Sequence, residues 1–335
     1  MEIVNSDLEL PKHLYLETTS RCNLRCRGCI LHRGGWEPQR DLSLKELIMI
    51  CDQLPKLERV ALHGIGEPIL NKELPNMIQY LKERKAFVFF NSNGILLDEI
   101  CQNQLIDTDL DELRISLDAA SPTGYKTVRN SDKFSLIVRN VQAFSERITS
   151  LNVSHPKLSL WYLGTRENIS EIPGFVRLAA TLGITEVYLQ RLVYFQDHEG
   201  YGLARPEKTL MDSNVAVAEL IHKSYEIAKR SGIKFNASGL SNPLESLQTG
   251  IKNPLPWKRC YRPSTLMYIT ANGNVLPCCI SPFSTFDYDS IILGNVFDNS
   301  LAEIWSGHRY RAFRKKRQTE NPPKCCKGCG TLWSL

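Results

Sequence analysis

Eleven cysteines stand in this chain of 335 residues, and nine of them fall into two groups. Three lie together as Cys22, Cys26 and Cys29, in the segment Thr19-Ser20-Arg21-Cys22-Asn23-Leu24-Arg25-Cys26-Arg27-Gly28-Cys29. Six lie in the tail: Cys260, the pairs Cys278-Cys279 and Cys325-Cys326, and Cys329. Three thiolates at the C-x3-C-x2-C spacing can take three corners of a cubane cluster and leave its fourth iron open, as a catalytic cluster requires. A zinc site would use the same residues with His32 as a fourth ligand. In the tail, four thiolates would close every iron of a second cluster, or fill the four positions of a zinc ribbon. Cys51 and Cys101 stand alone in helical periodicity, where a thiol serves as a small core residue.

These ligands need a scaffold. From Leu14 to about Phe235, short apolar runs alternate with amphipathic stretches. The pattern predicts strands at 14–18, 59–63, 87–91, 112–117, 157–163 and 186–190, with helices at 44–54, 72–84, 135–147, 172–181 and 214–230. Ser43 and Glu46 read as a capping box, and Asn71 as a second cap. Strand–helix alternation of this kind predicts an α/β fold with a parallel sheet and right-handed crossovers. Six units predict a partial (β/α)6 barrel with its chemistry at the C-terminal ends of the strands. Beyond Phe235, Pro and Gly become frequent and the helical period fades. We therefore expect a barrel domain over 1–240 and a small cysteine-rich domain over 241–335. The latter should hold a strand at 267–270, a turn at Asn272-Gly273-Asn274 and a helix at 300–314. The basic run Arg309, Arg311, Arg314, Lys315, Lys316, Arg317 reads as a solvated helix face.

Composition narrows the class. With 42% hydrophobic residues the chain can bury one large domain and an appendage. A formal charge of +5 is a mild excess, and the basic run has no aromatic interleaving, so a nucleic-acid partner is not expected. No apolar run of about 18 residues predicts a membrane span. The polar segment Met1–Leu10 lacks the features of a signal peptide. The expected compartment is cytoplasmic and reducing, where eleven cysteines do not read as disulfides.

The C-x3-C-x2-C segment after the first strand resembles the signature of the radical S-adenosylmethionine (AdoMet) superfamily. Three further segments follow in that family's order. His63-Gly64-Ile65-Gly66-Glu67-Pro68 is similar to the motif that holds the methionine ammonium, with Ile65 where the family has its first glycine. Asn91-Ser92-Asn93-Gly94 and Arg114-Ile115-Ser116-Leu117-Asp118 are similar to the segments nearest the ribose and carboxylate. The resemblance implies a [4Fe–4S] cluster on Cys22, Cys26 and Cys29. It implies an AdoMet site drawing on Gly64, Gly66, Glu67, Asn91, Asn93, Ser116, Asp118, Arg129 and Gln190. The tail resembles the auxiliary-cluster extensions called twitch and SPASM, nearer the shorter twitch form. That resemblance implies a second [4Fe–4S] cluster on Cys260, Cys278, Cys326 and Cys329.

The resemblance further implies reductive cleavage of AdoMet to a 5′-deoxyadenosyl radical, which takes a hydrogen atom from the substrate. An electron donor such as flavodoxin or ferredoxin is implied with it. The tail's likeness to dehydrogenase tails leads us to expect oxidation of a small polar molecule, sugar- or aminocyclitol-like. The alternatives are a radical epimerase with Cys279 as hydrogen donor, a maturase of ribosomal peptides, and a non-enzymatic zinc-binding interaction module. Peptide-modifying relatives usually carry a domain before the barrel, and the first strand begins at about Leu14, which counts against a peptide. Strand alternation points Tyr15 and Glu17 into the barrel, as well as Tyr188 and Gln190. Of these, Glu17 is the expected substrate-binding or proton-moving group.

Overall fold

The computed structural model describes residues 9–32, 37–194, 203–210, 215–238, 243 and 255–327. Ten strands among them form one sheet: β1 (His13–Leu16), β2 (Arg59–Ala61), β3 (Phe87–Ser92), β4 (Glu112–Ser116), β5 (Lys157–Gly164), β6 (Glu186–Arg191), β7 (Lys234–Ala237), β8 (Leu266–Ile269), β9 (Asn274–Leu276) and β10 (Gly294–Asn295). Their order is β10-β9-β8-β1-β2-β3-β4-β5-β6-β7. Strands β8 and β1 to β7 run parallel, and β9 and β10 fold back antiparallel. The helices packed on the barrel are α1 (Leu44–Cys51), α2 (Leu74–Glu83), α3 (Glu99–Asp107), α4 (Pro122–Arg129), α5 (Phe134–Ser150), α6 (Ile172–Thr181) and α7 (Val215–Arg230). All but α5, which follows α4, come after a strand, so the crossovers lay one apolar face after another on the outside of the sheet. The core they enclose includes Leu14 and Leu16 of β1, Val187 and Leu189 of β6, and Cys51 of α1, with Cys101 packed against it.

Local chemistry fixes where the helices begin. Ser43 and Glu46 form the expected capping box on α1. Asp98 accepts from the Cys101 N–H at 2.9 Å and Ser121 from the Gly124 N–H at 3.0 Å, which start α3 and α4. Asn71 is not the cap of α2, whose N-cap is Glu73; the Asn71 Oδ1 accepts from the Glu73 N–H at 2.9 Å. Its Nδ2 donates to the Thr18 and Leu42 carbonyls at 2.7 and 2.8 Å, tying the end of β1 to the approach of α1.

The tail adds α8 (Arg262–Thr265), α9 (Leu301–Ser306), α10 (His308–Arg317) and α11 (Lys324–Lys327). The sheet differs from the expected one in two respects. The parallel run gains β7, and β8 pairs with β1 in register, Tyr15 opposite Tyr268. The single helix expected at 300–314 is broken by Gly307 into α9 and α10. The basic run is not wholly solvated either. Arg314 donates to the Pro263 and Trp305 carbonyls and lies 4.0 Å from the ring centroids of Trp305 and Tyr310. Arg317 is buried and donates to the Trp257 and Lys258 carbonyls. No helix of the described residues is long and apolar enough to cross a membrane.

Candidate active site

A cavity of about 630 Å3 opens where the strands end. Its wall takes in Cys22, Cys26 and Cys29 from the loop after β1, Gly64, Gly66 and Glu67 after β2, and Asn91 and Asn93 at the end of β3. Ser116 and Asp118 at the end of β4, Arg129 at the end of α4 and the exposed Gln190 of β6 complete it, and Cys279 faces it from the tail. Residues spread over more than 250 positions of chain thus meet at one surface.

The cysteine loop is gripped from several sides. Arg21 forks onto Asp41 at 2.9 and 2.5 Å and reaches the Leu70 carbonyl. The C-terminal end of α4 holds the loop through Arg27, whose N–H and Nη1 donate to the Val128 and Thr127 carbonyls at 3.3 Å. Gly28 adopts a positive φ of 99°, and a Cβ there would press on the Leu203 N–H at 2.9 Å. Burial pushes the Cys22 thiol up to about 11 and that of Cys29 to about 12. Both would release a proton when a metal takes the sulfur. Arg129 donates to the Cys26 sulfur at 3.6 Å, which suits a cluster whose sulfurs carry negative charge. Among the described residues no three His, Cys, Asp or Glu side chains converge to cage a single ion. A cubane does not need that convergence, because its thiolates sit on separate irons. The side chain of His32, the fourth ligand of a zinc reading, lies outside the described residues.

Two carboxylates organise the wall. Glu67 is buried, accepting from Ser92 Oγ at 2.8 Å and from the Asn93 N–H at 2.7 Å. Burial raises it to about 7, against the pull of those donors. Asp118, at a positive φ of 59°, accepts from the Leu163 N–H at 2.7 Å and pairs with Arg129. Burial works against the Arg129 charge, but Asp118 and Cys26 beside it hold the guanidinium firmly protonated. Asn93 donates to Asn23 at 2.7 Å, linking the third motif to the cysteine loop. The Asn91 Oδ1 is buried and meets no donor among the described residues.

Glu17 is placed otherwise than the sequence led us to expect. It is fully buried and does not line the cavity. Its Oε1 accepts from the Ile65 and Gly66 N–H groups at 2.6 and 3.4 Å, and its Oε2 from the Ala271 N–H at 3.1 Å. The carboxylate ties the motif after β2 to the turn after β8. A Cβ on Gly64 would fall 2.6 Å from Glu17 Cγ, and one on Gly66 would strike the Thr19 carbonyl. Both glycines therefore answer first to this internal contact, although the sequence suggested a ligand. Glu37 makes a parallel tie, accepting from Thr270, Asn272, Asn274 and Tyr288.

The tail thiols lie apart from this wall. Cys260 precedes α8 and is buried, and Cys326 on α11 is half-buried beside the packed Cys325. Burial raises Cys260, while a hydrogen bond from Cys325 and the charge of Arg317 lower Cys326. Cys278 follows β9, and Cys329 lies outside the described residues. Cys279 differs from its neighbour by lining the cavity, hydrogen-bonded with the Tyr15 hydroxyl.

The lower cavity holds residues to which the sequence assigned no AdoMet role, Arg114 and His63 of the motifs among them. Arg114 forks onto Glu112, its Nε and Nη2 each 2.9 Å from a carboxylate oxygen. Trp161 stacks on Tyr188 with centroids 4.1 Å apart, and His63 packs edge-on against Tyr15 and Phe89. Strand alternation is the signal that leads to them, since Glu112 and Arg114, like Trp161 and Leu163, alternate inward.

Comparison with known proteins finds relatives for both parts of the chain. The family model described as the radical SAM superfamily matches residues 16–179, and the SPASM iron–sulfur cluster-binding domain matches 260–330. The chain is 24% identical to a tungsten-containing aldehyde ferredoxin oxidoreductase cofactor-modifying protein of Pyrococcus furiosus, over 94% of this chain and 86% of that one. It is 24% identical to a PqqA peptide cyclase of Granulibacter bethesdensis, over 97% and 81%. In fold it is similar to SuiB of Streptococcus suis bound to S-adenosylmethionine, with a TM-score of 0.70 and 19% identity over 96% and 71% of the two chains.

Proposed function

The chain belongs to the radical SAM superfamily and carries a SPASM iron–sulfur domain, and from that premise we propose that it is a maturase acting on a peptide. Its cofactors are a [4Fe–4S] cluster and S-adenosylmethionine, with additional iron–sulfur clusters in the SPASM domain, and it needs a reductant. The observation that carries the peptide reading is the relation to a PqqA peptide cyclase along nearly the whole chain. This replaces the small polyhydroxylated substrate that the tail suggested. When bound, the cofactors supply a radical that removes a hydrogen atom from a C–H bond.

The residues divide the remaining work. Cys22, Cys26 and Cys29 hold the catalytic cluster, and Arg129, fixed by Asp118, takes the AdoMet carboxylate. Glu67 accepts from its ammonium, and Asn91, Asn93, Ser116 and Gln190 serve the nucleoside. Gly64 and Gly66 bring the backbone close, and Glu17 holds that backbone in place from behind. Cys260, Cys278, Cys326 and Cys329 hold an auxiliary cluster within a domain over 241–335, against a barrel over 1–240. A second reading has one observation in its favour: Cys279 lines the cavity and could return a hydrogen atom. The test is to supply reconstituted enzyme, reductant and AdoMet with short peptides encoded beside its gene, and in parallel with aminocyclitols, in heavy water. A peptide product with its carbon-bound hydrogens depleted supports oxidative maturation. A single deuterium gained, and lost in Cys279→Ala, supports the epimerase. Turnover of aminocyclitols with no peptide modified would refute the proposal.

A further inference from the structure

Below the AdoMet motifs, the barrel interior holds a guanidinium that its neighbours set in advance. Arg114 lies on β4 between the Phe89 and Trp161 rings, 4.0 and 4.6 Å from their centroids. Its Nε and Nη2 are fixed by Glu112, which accepts from Ser159 Oγ at 3.4 Å. Ser159 in turn accepts from the Trp161 indole N–H at 3.1 Å. The chain Trp161–Ser159–Glu112–Arg114 therefore leaves the guanidinium little freedom. Among the described residues its Nη1 meets no acceptor, and the side chain is 14% exposed, in the cavity wall.

The charge count is uneven. Glu112 is shared, because Arg59 approaches it to 3.8 Å from below. Two guanidiniums on one carboxylate leave one positive charge over. A further acid in the cavity wall, Glu186, already has Asn236 at 3.0 Å and Lys234 at 3.6 Å. His63 contributes no compensating charge: burial, with Arg114 nearby, lowers it to about 3, so it stays neutral, and its buried Nδ1 has no partner. An excess cation with a free donor edge is a receptor for an anionic oxygen ligand.

We infer that Arg114, set by Glu112 and flanked by Phe89 and Trp161, is the subsite for a carboxylate of the substrate, an acidic side chain of a peptide. This rests on the peptide reading for the source of the carboxylate but not for the subsite itself. A planar fork fixed on one edge offers its other edge at no further ordering cost, which is what makes such a site selective. A carboxamide of the same shape would gain only a neutral hydrogen bond there.

The test uses anaerobically reconstituted holoenzyme with AdoMet. The probes are pools of random heptapeptides, acetylated and amidated, with the central residue fixed as Glu, Gln or Leu. A further Gln pool has a free C-terminus, and N-acetylglutamate and its amide are the small probes. Equilibrium binding and probe-dependent 5′-deoxyadenosine are the readouts. The Glu pool should bind about tenfold or more tighter than the Gln pool. That preference should vanish in the double variant Glu112→Gln/Arg114→Gln, which keeps a neutral pair of similar shape, with iron content and visible absorption reporting its folding. A free-C-terminus pool equal to the Glu pool keeps the subsite and moves its source to the peptide terminus. Equal binding of the capped pools, or a preference that survives in the double variant, overturns the inference and leaves the peptide reading standing. Binding of N-acetylglutamate alone, lost in the double variant, keeps the subsite and removes the peptide reading. Binding of no probe overturns the subsite.

Discussion

The loop carrying Cys22, Cys26 and Cys29 and the tail carrying Cys260, Cys278 and Cys326 give their thiols opposite surroundings. In the loop, the polypeptide is pinned from behind by Arg21, Arg27 and α4, and its sulfurs face the cavity. In the tail, the three thiols lie away from the cavity, two of them beside the inward-turned Arg317, while Cys279 alone of the described tail cysteines looks onto it. On the proposed assignment of the two clusters, the contrast fits the work of each site. A cluster that reacts with a ligand needs one face clear, whereas a fully ligated cluster is better enclosed. Rigid support behind an open face and packing all round a closed one are two routes to fixed sulfur positions.

The sharpest way to break the contrast is to empty the open site. Changing Cys22, Cys26 and Cys29 to alanine should abolish 5′-deoxyadenosine formation and remove about four irons per chain, while the tail cluster's absorption persists. Loss of both clusters together would mean that the two regions are not independent. Next in size is Arg129→Ala. It strands the buried Asp118 and withdraws the donor to Cys26, so it should cost about 3–5 kcal/mol of stability in denaturant titrations. AdoMet binding should weaken with it, and Arg129→Lys should recover only part, since a lysine cannot reach both partners as a fork.

The tie between the regions is tested by pH. Burial raises Glu17 to about 7 from an ordinary 4.5. A carboxyl that titrates higher in the fold than in the unfolded chain binds protons preferentially in the fold. Its contribution to stability is thus full below about 4.5 and is lost as pH climbs through about 7, on the order of 3 kcal/mol in all. Glu67 titrates at about 7 through burial as well. Glu17→Gln should therefore remove roughly half of the fall in stability over this window in protein without AdoMet. An unchanged slope would show that Glu17 does not titrate there. The smallest effect separates the two faces of α10. Arg314→Ala loses two carbonyl contacts and two aromatic faces and should cost about 2–3 kcal/mol. Exposed Arg311→Ala should stay within about 0.5 kcal/mol.

What could be read in the sequence was mostly local. The six strands, the Ser43 cap and the cysteine groups are each set by a few neighbouring residues. The cavity brings together nearly every residue named from the four motifs because each motif sits at a strand's C-terminal end. The misses are long-range. Strand β7 holds only Lys-Phe-Asn-Ala, too short for a period to show. The split of the tail helix turns on one glycine whose Cβ would press on the Glu303 carbonyl at 2.7 Å. Glu17 was placed in the cavity by alternation, which gives the face of a strand but not the N–H groups that claim a carboxylate once the turn after β8 arrives. Arg114 was legible only as part of a motif: Glu112 stands two residues before it on β4, but the flanking Phe89 and Trp161 rings come from the neighbouring strands β3 and β5.

The pairing of β1 with β8 also has a bearing on how the molecule is made. His13 sits opposite Leu266, so the first strand gains its second neighbour only when that distant segment has been synthesised. At about 5–20 residues per second, the interval on the ribosome is roughly ten seconds to a minute. Throughout it the nascent barrel carries a bare strand edge, with the cysteine loop beside it and Glu17 still lacking the Ala271 donor. The chain must cross that interval without pairing to another copy of itself.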